Sequence, residues 1–371
     1  MLINKITYSY NDVSIKPAFV SKIKSRKECV SRLDDGKLPI FASPMSTVVN
    51  VENFDTFEKN GINAILPRNI DVDTRLEYAL NNKWAAFSLK EFEEFFTTEE
   101  MYVSNMDEGG NIKVLIDVAN GHMEVMYQLV KKAKELYGKH IQIMVGNIAN
   151  PESYMLSVES GVDFVRCGIG GGSGCITSSN VSIHYGYASL IADINAIRDA
   201  LPQPKETLPK IIADGGIRNY SDVIKALALG ADYVMIGGLF ASLIESASDT
   251  YIKDEQNGFV KFVEQNAKIT ECDGLFTIQT DAETYAIDKL YKTFYGMASK
   301  YGQIAISGVK TKTSEGIKKE IKVTTNIHKW VENMDAYLKS AMSYCNIKNV
   351  KDMYNAEVIL ISNNTNNSIN K

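Results

Sequence analysis

The chain has 371 residues, 45% of them hydrophobic, which is enough for one large domain or two ordinary ones around a sizeable core. Forty lysines and arginines stand against 45 acids, a net charge of −5, so there is no electrostatic reason to expect nucleic acid or an acidic membrane surface as a partner. No apolar run approaches the ~18–20 residues that span a bilayer, and the N-terminal "MLINKITYSYNDVS" has no signal-peptide core, so the expectation is a soluble, cytoplasmic protein.

In chain order, short apolar runs recur. Strands are expected at 38–43 ("LPIFAS"), 62–66 ("INAIL"), 84–89 ("WAAFSL"), 113–118 ("KVLIDV"), 141–146 ("IQIMVG"), 163–168 ("DFVRCG"), 210–215 ("KIIADG") and 232–237 ("DYVMIG"). Between them lie amphipathic segments such as 123–138 and 219–230, with apolar residues at i, i+3 and i+4 and a closing glycine. Nearly all-apolar strands are buried on both faces, as in a parallel sheet covered by helices. A doubly wound open sheet gives the same alternation, but eight βα units favour a TIM (β/α)8 barrel.

Polar and glycine-rich turns follow the strands: "DVANG", "GNIAN", "GIGGGSGC", "DGGIR" and "IGGLF". In a barrel these share the C-terminal face, where such folds carry their sites. The polar, mixed stretch 241–294 reads as an excursion from the barrel, 298–316 as a mobile flap, and 363–371 as a disordered tail after one domain over 1–362.

Cysteines at 29, 167, 175, 272 and 345 form no CxxC pair, so neither a disulfide framework nor a zinc site is supported, and the four histidines are scattered. Cys175 is different because of its setting. "GIGGGSGCIT" (168–177) puts five glycines and Ser173 ahead of it and Thr177 two places after. Such a loop can cradle a phosphate through Ser173 and its amides, or hold a monovalent cation through its carbonyls. A cysteine there can be a nucleophile with Thr177 in proton transfer. The loop also reads as a plain glycine turn beside an inert, buried cysteine. Cys167, at the end of its strand, reads as a packing residue.

"ADGGIRNYSD" (213–222) offers Asp214 to a ribose diol and Gly215 and Gly216 to a phosphate. Gly237 and Gly238 repeat the device at the last strand, where this barrel often binds phosphate at a helix N-terminus.

"GIGGGSGCIT", "DGGIRNYSDVIKALALGADYVMIGG" and "FYGMAS", in this order, resemble the IMP dehydrogenase/GMP reductase family, from about residue 7 to 362. The resemblance implies a (β/α)8 barrel, a homotetramer, and cysteine attack on C2 of a purine nucleotide with hydride exchange against a nicotinamide cofactor. By resemblance, the carbonyls of Gly170, Gly172 and Cys175 hold K+. Cys175 is the nucleophile and Thr177 its proton-transfer partner. Ser173, Asp214, Gly215, Gly216, Gly237 and Gly238 grip the nucleotide, and Gly296, Met297 and Ala298 bracket its base. Asp117, Val118, Ala119 and Arg68 face the cofactor.

Within the family, the 66–113 stretch is too short for a CBS pair, and the 298–316 flap has no Arg-Tyr dyad. "SEG", ending in Glu315-Gly316, is similar to GMP reductase, whose glutamate works with the threonine on ammonia. "DVANGH" is also similar, as is "SKIKSR", whose Ser25-Arg26 pair the resemblance places on the cofactor. The sequence departs from the family at Pro67-Arg68, where a His-Lys is usual, at Ser178 in place of an arginine, at Ser46 in place of an aspartate, and in the dehydrogenase-like middle residue of "CIT". The expected activity is NADPH-dependent reduction of GMP to IMP and ammonia. IMP dehydrogenase is the alternative, and a non-catalytic purine-nucleotide-binding barrel the third reading.

Overall fold

The computed structural model describes residues 4–98, 111–171, 180–254, 258–262, 268–272, 275–279, 284–286, 289–309, 313 and 316–361. A short strand, β1 (Val13–Ile15), leads in and pairs antiparallel with the last, β17 (Val358–Leu360). Eight parallel strands then follow: β2 (Ile40–Ala42), β3 (Ile65–Leu66), β4 (Trp84–Phe87), β5 (Ile112–Asp117), β6 (Ile141–Ile148), β7 (Phe164–Cys167), β8 (Lys210–Asp214) and β9 (Tyr233–Ile236). Each overlaps one of the eight expected segments, β5 starting one residue earlier and β6 ending two residues later.

The strands pair in sequence order from β3 to β9, and β9 pairs with β2. The remaining seam is closed by a parallel bridge between Phe41 and Asn63, with Ala42 N–H on the Asn63 carbonyl at 2.7 Å and Asn63 N–H on the Ile40 carbonyl at 3.0 Å. A helix follows each of β2 to β8, from Val51–Lys59 to Tyr220–Ala228. This is the TIM barrel. Between β3 and β5 lie only β4 and the helices Val72–Leu80 and Leu89–Phe96 among the described residues, in the span where a CBS pair would sit.

Alternation along the strands sorts the core into two layers. Phe41, Ile65, Trp84, Ala86, Leu115, Met144, Ile212 and Met235 fill the barrel interior. The alternate residues on the same strands, such as Val165 and Cys167 on β7, turn outward into the larger layer beneath the helices. At the N-terminal end the interior is plugged by aromatic rings, with Trp84 and Phe164 edge to face at 5.2 Å and Phe41 and Tyr233 at 5.2 Å. The same period puts Asp117, Arg166 and Asp214, each two residues beyond an interior position, at the C-terminal mouth.

The eighth helix of the barrel, Ile327–Tyr344, is reached only after the excursion. That segment is antiparallel β structure. β10 (Thr250–Asp254), β11 (Gly258–Phe262), β15 (Leu290–Tyr295) and β16 (Lys318–Lys322) form one sheet in the order β11-β10-β15-β16. β12 (Lys268–Cys272), β13 (Leu275–Gln279) and β14 (Thr284–Ala286) form another. The 298–316 stretch, expected as a flap without periodicity, contains a helix, Lys300–Ser307. Its physical reason is local: Ser299 caps it, accepting from Gly302 N–H, and Gly308 ends it in the left-handed conformation at φ +74°. The 363–371 tail lies outside the described residues.

Candidate active site at the C-terminal mouth

The turns after β2, β5, β7, β8 and β9 and the end of β15 converge on one cleft of about 210 Å³. Ser43 and Met45 line it from β2, Gly215 and Gly216 from β8, and Gly237 and Gly238 from β9, with Phe294, Gly296 and Met297 over them. A larger cleft, about 540 Å³, opens at the N-terminal end, where Arg198 pairs with Asp232 and Lys351 with Asp34 at 2.5 Å. The loops that carry chemistry do not reach it.

The floor of the mouth is an ion network. Arg166 on β7 donates Nη1 to Asp117 Oδ1 at 2.8 Å and Nε to Asp214 Oδ2 at 3.0 Å. Its side chain is only 9% exposed. Burial works against its charge, but Asp214 and Asp117 outweigh burial, and the net effect raises its pKa. Asn147, near the end of β6, gives its amide to Asp214 Oδ2 at 2.8 Å and to the Gly168 carbonyl at 2.7 Å. Two carboxylates share one cation, so the cluster carries a formal charge of −1 and suits a ligand that donates hydrogen bonds, such as a sugar diol or a carboxamide. Arg166 and Asn147 were not expected from the sequence. The signal for Arg166 was present as a charge inside the apolar strand "DFVRCG".

The glycine turns are packed against one ring. Tyr187, at the start of the helix Tyr187–Asp199, donates its hydroxyl to the Ile169 carbonyl at 2.8 Å. A Cβ on Gly171 would lie 1.8 Å from that hydroxyl oxygen, so only glycine fits there. Gly216 N–H in turn donates to the Gly171 carbonyl at 3.2 Å, which ties the turn after β8 to the turn after β7. Gly170, Gly215 and Gly216 all have positive φ, from 75° to 104°.

On the β5 side, Arg68 donates Nη1 to the Asp117 carbonyl at 3.1 Å, while its buried Nε has no partner among the described residues. Val118 N–H donates to the Gly146 carbonyl, and Ala119 is exposed at the rim. Gly238 opens the short helix Gly238–Ala241, with Gly237 before it. Ala298 follows Met297 and is exposed. Gly172, Ser173, Cys175, Thr177, Ser178 and Glu315 lie outside the described residues. Cys167 is 1% exposed, and burial raises its thiol pKa, as a packing residue requires.

Ser25 and Arg26 are not brought to this cleft. They lie in a short 3-10 turn held by Lys22 N–H on Asn346 and by the Cys29 thiol on the Ile347 carbonyl. Residues 345–347 follow the helix Ile327–Tyr344, whose start is at the mouth beside Glu245, so its end is at the opposite end of the barrel. Val30 bridges to Asn349 there, next to the N-terminal cleft.

A closed eight-stranded parallel barrel with a charged, glycine-rimmed mouth defines a TIM-barrel protein built to bind a small polar ligand. The chain belongs to the IMP dehydrogenase/GMP reductase family, whose domain model matches residues 7–369. It is 32% identical over 251 residues to an inosine-5′-monophosphate dehydrogenase of Chlorobaculum parvum, covering 68% of this chain and 45% of that one. It is 27% identical over 368 residues to a GMP reductase of Bacillus licheniformis, covering 96% of each. A GMP reductase of Onchocerca volvulus is 27% identical over 370 residues, covering 94% of this chain and 89% of that one. The chain thus spans less than half the length of that dehydrogenase and nearly all of both reductases. Both activities in the family's name are oxidoreductions of a purine nucleotide. No helix among the described residues is long and apolar enough to cross a membrane.

Proposed function

We propose that this protein is a GMP reductase, reducing GMP to IMP with NADPH and releasing ammonia. The observation that carries the reading is extent: the match to the Bacillus licheniformis reductase runs along 96% of both chains, whereas the dehydrogenase match stops at 45% of its relative. The 298–316 segment supports it, since it offers Glu315 and no Arg-Tyr dyad to activate water.

In this reading the Cys175 thiolate adds to C2 of the guanine, and the bond from C2 to its amino nitrogen breaks as Thr177 and Glu315 pass a proton to the leaving ammonia. That leaves a thioimidate. Asp117, Val118, Ala119 and Arg68 would hold a reduced nicotinamide, which would supply the hydride that C2 takes up as Cys175 leaves as thiolate. Asp214 holds the ribose diol with Oδ1, because Oδ2 is taken by Arg166 and Asn147. Ser173, Gly215, Gly216, Gly237 and Gly238 hold the phosphate, and Gly296, Met297 and Ala298 bracket the base. Asp117, Val118, Ala119 and Arg68, whose Nε has no partner among the described residues, serve the cofactor. Ser25 and Arg26, remote from their own cleft, serve that of a neighbouring subunit in a homotetramer. The carbonyls of Gly170, Gly172 and Cys175 hold K+, so replacing K+ with a large organic cation slows turnover.

The test is absorbance at the reduced-nicotinamide band, with GMP plus NADPH and separately with IMP plus NAD. Consumption of NADPH with IMP formed is expected. Faster formation of xanthosine monophosphate from IMP would install the dehydrogenase reading, which the 32% identity to a dehydrogenase favours. Nucleotide binding without turnover in either direction would leave a binding barrel.

A further inference from the structure

We infer that Tyr295, gripped by Ser46, is a positioning residue that sets where Met297 and the Lys300–Ser307 helix sit over the cleft; the inference rests on the reductase reading only for its kinetic consequence. Ser46 lies in the turn after β2, on the barrel. Its Oγ is 3.2 Å from Tyr295 Oη, at the end of β15, and 3.6 Å from Met297 Sδ. One hydroxyl proton cannot serve both acceptors, so the two contacts hold together when the phenol returns its own proton to Ser46. The barrel and the excursion sheet are thereby tied at the point where the chain leaves the sheet and enters the cleft.

The tie continues outward. The Tyr295 ring packs on Tyr301 in the helix, centroids 6.0 Å apart, and Lys318 of β16 lies over Tyr301 at 5.1 Å. Lys318 is also the register partner of Tyr295. The helix sits directly against Met297, since a Cβ on Gly302 would lie 2.4 Å from the Met297 carbonyl oxygen. Ser46, Tyr295, Met297, Gly302 and Tyr301 thus form one continuous chain of contacts, through which a shift at Tyr295 would reach Met297. The same helix leads into the segment that carries Glu315. Tyr295 does not line the cleft, and its hydroxyl is spent on Ser46.

The experiment is hydrogen–deuterium exchange on the full chain, for wild type, Ser46→Ala, Tyr295→Phe and the double variant, with steady-state kinetics on GMP alongside. Tyr295→Phe keeps the ring contact and removes the hydroxyl. Each single variant is expected to speed exchange across 297–307 by about three- to tenfold, the scale of one hydrogen bond, with β7 and β8 unchanged. The double variant should be no worse than the worse single, since both remove the same contact. The KM for GMP should rise with kcat changed less. Exchange in 297–307 unchanged in Tyr295→Phe, or raised equally through the barrel strands, overturns the inference. If the wild type does not turn over GMP, the reductase reading fails while the exchange result still decides the positioning role.

Discussion

Two nitrogens of Arg166, Nε and Nη2, each lie 3.0 Å from the same oxygen of Asp214, Oδ2. With the Asn147 amide on that oxygen too, the whole protein-facing demand falls on one side of the carboxylate. Oδ1 has no hydrogen bond among the described residues and is left for a ligand. The pair fixes Asp214 without consuming it.

Removing that cation should therefore be costly. Arg166→Met keeps the length of the side chain but strands two carboxylates in a buried site, and should lower stability by about 3–5 kcal/mol in urea unfolding at pH 7. Arg166→Lys keeps the charge and loses the fork, so it should fold better and still bind GMP at least about tenfold more weakly. A wild-type urea midpoint in Arg166→Met would show that the network does not stabilise the mouth.

Gly171 offers a second, steric test. Its hypothetical Cβ falls 1.8 Å from Tyr187 Oη and 2.0 Å from the ring carbon bearing it. Tyr187 is 6% exposed and stacked on Tyr10 at a centroid distance of 6.3 Å, so the ring has nowhere to go. Gly171→Ala must displace the loop instead. Calorimetry should record a loss of nucleotide affinity of about tenfold or more, some 1.4 kcal/mol. Unchanged affinity would mean that the turn after β7 does not contribute to the ligand site.

The barrel was legible because strands covered on both faces leave unbroken apolar runs, punctuated by glycine at one end. Even "WAAFSL", the least regular run, forms β4. The mouth was legible only where a motif is local. Asp214 announces itself through the glycines after it, but Arg166 finds its partners 48 and 49 residues away, and no window along the chain connects them. Ser299 and Gly308 were local helix signals of the ordinary kind, outweighed in the sequence by the glycines and threonines around them. The position of Ser25 and Arg26 depends on where the helix Ile327–Tyr344 ends, which is a property of the fold and not of their own segment.

Acid stability should have one identifiable contributor. Glu91 lies in the capping box of the helix Leu89–Phe96, with Oε1 2.7 Å from Arg75 Nη2 and Oε2 accepting from Ser88 N–H at 2.7 Å. Burial opposes its charge, but the bonds from Arg75 and Ser88 outweigh burial and bring its pKa down from 4.5 to about 2. A depressed folded-state pKa gives stability that is present above the unfolded value and lost as pH falls through the folded one. The contribution is thus complete above about pH 5 and disappears toward pH 2. Glu91→Gln should lower the melting temperature at pH 7 and shrink the gap from wild type as the buffer is taken down through that window. A gap that stays constant with pH would remove the ion pair as its cause.

The two neighbouring cysteines should separate chemistry from packing. Cys167 ends β7 with its side chain turned outward, 1% exposed, its thiol 3.5 Å from the Val165 carbonyl oxygen. Burial raises its pKa, which keeps it protonated and a poor nucleophile. Alternation alone accounts for this, since Phe164 and Arg166 on the same strand face the interior and the mouth. Cys175 follows the glycine run and, under the reductase reading, must meet C2 of the base as a thiolate. Cys175→Ala should abolish turnover, while GMP affinity stays within about tenfold of wild type, because the grip on ribose and phosphate comes from other residues. Cys167→Ala should do the reverse, lowering stability by on the order of 1 kcal/mol with kcat nearly unchanged. Alkylation should follow the same order: iodoacetamide added to the folded protein labels Cys175 first, GMP protects it, and activity falls in step with that label. Labelling at Cys167 that tracks inactivation, or turnover surviving in Cys175→Ala, would remove the covalent mechanism and with it the reason for the glycine run.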